Sequence, residues 1–414
     1  MTEPDSEDRQ TSTRTLLVRL GAAMIATGQP AHEVQEELAD VSAHLGYGDI
    51  QIGAGPTSIT VALASGAPAT FELITTQLRL DQAVDVRRIR YELLTDRVDR
   101  DRALIQLAAL PGRPPRYPTW LRHLGFVAVA AGIAMILQPG RANLLGAVLC
   151  AVVVIGLGWG AERSQLLATL LPTVAAFVVA CVVLSAAQAG LLDGPLRTVL
   201  PPLAALLPGA LIVNGMSELA AGHMQAGSSR LMYGTVQLGL FALGLVAAVA
   251  LLNVEAPQLA NLRVDDLGWW APVVGLAIIG IGICLMEGVG LRLLPWVLLL
   301  LMVAGTAQGV GQHFGPAALG SFFGAAAASM GAMLIEALRP QLPRLVVFLP
   351  AFWLLVPGSL GLLGATQLVV DPGQALELGL GVAVIICAIA LGLLVGTTTA
   401  RSVVGIVRQL RSRP

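Results

Sequence analysis

Asn214, Ser217 and Glu218 stand at i, i+3 and i+4 within an otherwise apolar stretch, so on a helix they share one face. An amide, a hydroxyl and a carboxylate in that pattern can hold a small polar molecule. Asn214 and Ser217 would supply donors and acceptors for an amine or hydroxyl, and Glu218 would bind an ammonium group or a proton. Polar side chains in a hydrocarbon environment are costly and are functional by default. Pro208-Gly209 lies just upstream. Proline removes an intrahelical hydrogen bond and clashes with the preceding turn. A helix restarting after Pro-Gly would therefore expose free backbone N–H groups, an end that attracts a carboxylate. The plainer alternative for Glu218 is an interfacial carboxylate paired with Arg230.

These residues belong to a repeat. Leu200-Pro201, then six residues to Pro208-Gly209, is matched by Leu349-Pro350, six residues, then Pro357-Gly358. The positions aligned with Asn214, Ser217 and Glu218 are Leu363, Thr366 and Gln367, so the second copy keeps a polar pair without the charge. Two interrupted apolar segments at corresponding places in two halves point to a transporter with its substrate site at the repeat interface. The alternative is that both prolines merely kink packed or lipid-facing helices.

The elements that must carry these residues follow from composition. Of 414 residues, 55% are hydrophobic and 12% charged, against about 25% charged in soluble domains. Residues 1–118 hold 16 of the 26 acidic and 12 of the 25 basic residues. A small soluble domain with its linker (1–118) is thus expected before a membrane part. Ten apolar segments follow, near 121–138, 142–160, 165–188, 199–221, 229–252, 269–287, 293–311, 315–337, 343–368 and 375–399, each close to the ~20 residues that span a bilayer. With the N-terminus inside, Arg122, Arg163, Arg230, Arg292, Arg339, Arg344, Arg401, Arg408, Arg411 and Arg413 fall at inner ends, and only Arg141, Arg197 and Arg263 in outer loops. That bias follows the positive-inside rule and returns the C-terminus to the cytoplasm. The proline segments are then helices four and nine. The fold expected is a polytopic α-helical membrane protein of about ten helices in two inverted five-helix modules, 119–255 and 256–414, preceded by a small cytosolic α+β domain.

In that domain, Val34, Leu38, Val41 and Leu45 form one apolar helical stripe, separated by Gly28 and Pro30 from an earlier helix near 13–27. Ile50/Ile52 and Ile59/Val61/Leu63 alternate as a hairpin, a third strand is expected near 69–77, and charged helices near 82–110. The domain carries no Walker loop, metal cluster or dinucleotide fingerprint, so no cofactor or metal is expected. Net charge near zero gives no argument for nucleic acid. Cys150, Cys181, Cys284 and Cys387 are far apart in apolar segments and read as core residues. Weaker polar candidates are Thr235, Gln237, Gln308, Gln312 and His313, with Glu287 and Glu336 expected to pair with Arg292 and Arg339. Small residues from Ala325 to Ser329 would serve helix packing or a homo-oligomer face equally well.

Leu20-Gly21, Thr27-Gly28 with Val34, Leu45-Gly46 and Pro56-Thr57, followed by Pro208-Gly209, Asn214, Glu218-Leu219, Gly222, Gly227 and Arg230, resemble the bacterial threonine/serine exporter family. The family pattern often has Asp where Glu218 stands. The resemblance implies proton-driven export of threonine and serine across the bacterial cytoplasmic membrane. In some bacteria the two modules are separate proteins, a pair associated with succinate export, which makes a dicarboxylate exporter the rival within the class. A membrane enzyme with a catalytic soluble domain and a passive channel are the rivals outside it. The residues expected along the substrate or proton path are Pro208, Gly209, Asn214, Ser217, Glu218, Pro357, Gly358, Thr366 and Gln367, with Arg230 as an ion-pair partner.

Overall fold

The computed structural model describes residues 3–259, 262–339, 342, 344–355 and 372–411. The first part is α+β. Helices α1 (Glu3–Ala26) and α2 (Ala31–His44) precede strands β1 (Gln51–Ala54), β2 (Ser58–Ala62) and β3 (Ala69–Leu73), then α3 (Leu80–Leu94) and α4 (Arg100–Ala109). The strands form an antiparallel meander in the order β1-β2-β3, with Ile52 opposite Val61 and Ile59 opposite Glu72. Ile59 and Val61 face inward, and Leu16, Leu17, Leu20 and Met24 of α1 close over them with the expected α2 stripe of Val34, Leu38 and Val41. Each such side chain contributes roughly 1.5–3 kcal/mol on burial. The expected helix near 13–27 begins earlier, at Glu3. The charged stretch near 82–110 is two helices: Asp96 turns at φ 53°, and the Asp99 carboxylate accepts from the Arg102 N–H at 2.9 Å to start α4.

Helices then follow one another: α5 (Thr119–Leu137), α6 (Arg141–Ala161), α7 (Gln165–Gln188), α8 (Pro195–Leu203), α9 (Gly209–Ala220), α10 (Met224–Leu251), α11 (Trp270–Met286), α12 (Leu294–Phe314), α13 (Ala317–Leu338), α14 (Arg344–Leu355) and α15 (Pro372–Arg411). Among the described residues, seven helices are long and apolar enough to cross a membrane, and α8 with α9 makes an eighth if that bent pair is one span. The chain is a multi-pass membrane protein. Helix α11 has 17 residues, about 25 Å at 1.5 Å per residue, short of the ~30 Å hydrocarbon core. The expected ninth segment starts as α14 and passes outside the described residues after Leu355.

Two cores form behind these helices. One gathers Val179, Val183, Leu200 and Phe241 from α7, α8 and α10. The other gathers Val297, Leu301, Ala328, Val347 and Ile389 from α12 to α15, and it takes in Leu80 and Ala83 of α3. Between the cores, α5 crosses α11 on glycines. A Cβ on Gly132 would lie 2.6 Å from the Gly275 carbonyl oxygen, and one on Gly125 would lie 2.7 Å from that of Gly282. Without side chains the backbones touch. The stretch Ala325–Ser329 is also used within the chain. A Cβ on Gly392 or Gly396 of α15 would press on Ala325, Ala326 and Ser329.

Candidate functional site

The break in the proline segment is where the sequence places it. Helix α8 ends in a 3-10 turn over Ala204–Leu206, Leu207 is extended (φ −67°, ψ 136°), and α9 starts at Gly209 after Pro208, the two halves bent by 66°. The Ile212 N–H already reaches the Pro208 carbonyl, so the amides of Gly209, Ala210 and Leu211 are the ones left to face outward from the helix start. Upstream, buried Gln138 and Asn143 pin the entry to α8. The Asn143 amide donates to the Asp193 carbonyl at 2.7 Å and to the Thr198 hydroxyl at 2.8 Å. Gln138 accepts from the Val264 N–H at 3.2 Å. Gly194 sits at φ 60° against the Gln138 amide, where any side chain would collide.

Beside the break lies a cavity of about 570 Å³. Ala210, Leu211, Asn214 and Ser217 line it from one face of α9, joined by Arg230 and Tyr233 of α10. Ser329, Met333, Phe348 and Thr397 come from α13, α14 and α15, Gly28, Gln29 and Pro30 from the turn between α1 and α2, and His32 and Glu33 from the first turn of α2. The Ser217 hydroxyl is buried with no hydrogen-bond partner among the described residues.

Glu218 does not line this cavity. It is fully buried one step behind Ser217, where Oε1 accepts from the Ala31 N–H at 2.7 Å and lies 3.3 Å from Arg230. Its Oε2 has no partner among the described residues. Arg230 also donates to the Gln29 carbonyl at 3.4 Å. Close backbone approach makes this pairing possible: a Cβ on Gly227 would lie 2.7 Å from the Gly215 carbonyl oxygen, so α9 and α10 touch one turn from the ion pair.

The α+β part thereby forms one wall of the cavity. Gly28, at φ 93°, ends α1, and α2 begins at Ala31 behind Pro30, which offers no side-chain cap. The Glu218 carboxylate takes the place of that cap, aided by the helix dipole. Glu33 pairs with Arg344 of α14, Glu36 with Arg401 of α15 at 2.6 Å, and Arg87 of α3 with Glu336 of α13 at 2.7 Å. The rings of His32 and His223 lie 5.7 Å apart at the same seam. Burial, and then the neighbouring His223, lower the His32 pKa from 6.5 to about 4.

Several expected residues fall elsewhere. Glu336 turns to Arg87 and not to Arg339. Glu287 faces Arg122 and the Leu80 N–H, not Arg292. Both acids serve the seam with α3, a partner that local spacing could not reveal. His313 is exposed at the end of α12 against Phe314, away from the cavity. The Thr235 hydroxyl bonds back to the Leu231 carbonyl at 2.8 Å, and Gln237 donates to the Tyr233 hydroxyl at 2.8 Å. Pro357, Gly358, Leu363, Thr366 and Gln367 lie outside the described residues. Gln29, His32, Glu33 and Arg344 were not among the expected site residues. The only sequence signal for them was an acidic first turn on α2 and arginines at helix ends.

No curated protein and no solved structure matches the chain. A family model does, from the first helix through α10: the ThrE model, whose members are described as threonine/serine exporters, matches residues 15–252. That is more than half of the sequence and covers Gln29, Ala31, Asn214, Ser217, Glu218 and Arg230. The chain belongs to the ThrE threonine/serine exporter family.

Proposed function

We propose that this protein exports threonine and serine in exchange for protons across the bacterial cytoplasmic membrane, by alternating access between two inverted five-helix modules. The observation that carries this reading is the cavity beside the broken helix. Its volume of about 570 Å³ falls in the usual range for small-molecule sites. Asn214 and Ser217 reach it from one face, and the start of a half-helix opens nearby. Its two arginines are each matched by a carboxylate, Arg230 by Glu218 and Arg344 by Glu33. A wall with its charge balanced suits a zwitterion better than a dianion. The free Ser217 hydroxyl suits a hydroxylated side chain, and Glu218 Oε2 is a candidate proton site.

The antiparallel glycine crossing of α5 on α11, the first helices of the two modules, supports the inverted arrangement. Arginines at the ends facing the α+β part support a cytoplasmic location for that part and for both termini. In this arrangement the seated α+β domain closes the cytoplasmic mouth. Loading from the cytoplasm then requires the turn at Gly28–His32 to lift from Glu218 and Arg230.

The test is flux of radiolabelled threonine and succinate in proteoliposomes, with and without an imposed pH gradient. Saturable threonine flux that follows the gradient, with succinate inert, is expected. Succinate flux alone would move the cargo to dicarboxylates, and threonine flux indifferent to the gradient would remove proton exchange.

A further inference from the structure

A second hollow, about 1,090 Å³, lies apart from the cavity, where α3 and the linker before α5 meet the loop after α11 and the ends of α12 and α13. Five arginines line it, Arg79, Arg113, Arg116, Arg292 and Arg339, against two carboxylates, Asp81 and Asp85. Those carboxylates are already engaged. Arg79 holds Asp81 at 3.0 Å, and Arg113 and Arg88 hold Asp85 at 2.6 and 2.9 Å. Among the described residues no carboxylate lies within ion-pair distance of Arg116, Arg292 or Arg339, and all three are exposed. Gly290 shapes the floor: a Cβ there would lie 2.8 Å from Arg116 Nη1, so the guanidinium rests on bare backbone.

The same hollow has an apolar side. Leu291 and Leu338 line it while 47% and 68% exposed, beside half-buried Trp296 and Tyr117. Helices α12 and α13 are membrane-spanning candidates, so the hollow sits at one hydrocarbon–water boundary, where Trp and Tyr are enriched. Unpaired guanidinium forks suit phosphate oxygens. Exposed leucines beside them suit the glycerol and acyl region and are of no use to a free anion. Basic pockets between helix ends are a recurrent way to hold an acidic headgroup.

We propose that this hollow binds the phosphate headgroup of an anionic glycerophospholipid from the leaflet on the α+β side, held by Arg116, Arg292 and Arg339. The site is independent of the transported substrate. Native mass spectrometry of the full-length protein in detergent, titrated with phosphatidylglycerol or phosphatidylcholine, tests it. Phosphatidylglycerol adducts are expected to form at least tenfold more readily than phosphatidylcholine adducts. The preference should vanish in the triple variant Arg116→Gln, Arg292→Gln, Arg339→Gln. These side chains are exposed and unpaired, so the variant should elute and melt like the parent; if it does not, each single variant should still show a partial loss. Equal uptake of the two lipids would overturn the proposal, as would a preference that survives the triple variant. Displacement of phosphatidylglycerol by millimolar inorganic phosphate would reassign the arginines to a soluble anion and equally overturn it.

Discussion

The Ala31 backbone N–H donates to the Glu218 carboxylate at 2.7 Å across 187 residues of chain. One acid thus caps the first turn of a helix in the α+β part and holds the buried Arg230 on α10. A carboxylate poised between a helix N-terminus and an arginine can report the state of one to the other. Protonating or displacing it weakens both contacts together.

Replacing that acid should therefore uncouple the two. Glu218→Gln keeps an oxygen for Ala31 but leaves Arg230 buried without its counter-charge. Breaking such a pair costs about 3–5 kcal/mol. We expect threonine efflux to fall at least tenfold, with a lower melting temperature. Glu218→Gln combined with Arg230→Gln should recover melting temperature and expression but not efflux. Recovered efflux in the double variant would show that the pair is structural only.

The ion pairs across the seam should differ in weight. Arg401 and Glu36 are about half exposed, at 47% and 53%, and an exposed pair contributes ~0–1 kcal/mol. Glu33 and Arg344 are mostly buried, at 13% and 15%. Arg401→Gln should leave proteolysis of the α1–α2 turn nearly unchanged, whereas Glu33→Gln should raise it severalfold. The opposite ranking would mean that the buried pair does not hold the domain in place.

Acid should loosen the same seam. His32 in place titrates at about 4, against 6.5 unperturbed. Its surroundings are His223, Glu33, Glu36, Arg344 and Arg401. Because the seated form binds its proton less readily, its contribution is fully present above pH 6.5. It is lost as pH falls from there toward about 4, amounting to about 3 kcal/mol at the limit. Protection factors over residues 27–37, corrected for the intrinsic pH dependence of amide exchange, should be lower at pH 5 than at pH 7, and His32→Asn should flatten that difference. An unchanged pH response in the variant would place the sensitivity elsewhere.

The glycine crossing gives a contrast within a single experiment. Gly132→Ala would drive a methyl group to 2.6 Å from the Gly275 carbonyl, and overpacking of that kind costs about 1–3 kcal/mol. Gly156→Ala meets nothing within 4 Å and should be neutral or slightly stabilising through helix propensity. Equal melting temperatures for the two variants would contradict the close approach of α5 and α11.

Much of this was determined by the chain as a sequence. Pro208-Gly209 fixed where a span breaks, because proline cannot supply the missing N–H wherever the helix is placed. The apolar runs fixed most helix bounds within a few residues, and the Val34, Leu38, Val41 stripe fixed which face of α2 is buried. The i, i+3, i+4 spacing put Asn214 and Ser217 on one cavity wall, since helical geometry is local. Only tertiary structure decided that Glu218 points behind that wall, because a few tens of degrees around α9 separate a lining residue from a buried one. It also decided that Glu336 seeks Arg87 and that Glu218 caps α2. Partners far apart in sequence carry no periodicity to announce them; charge and burial choose them only once the α+β part has been set down on the helices.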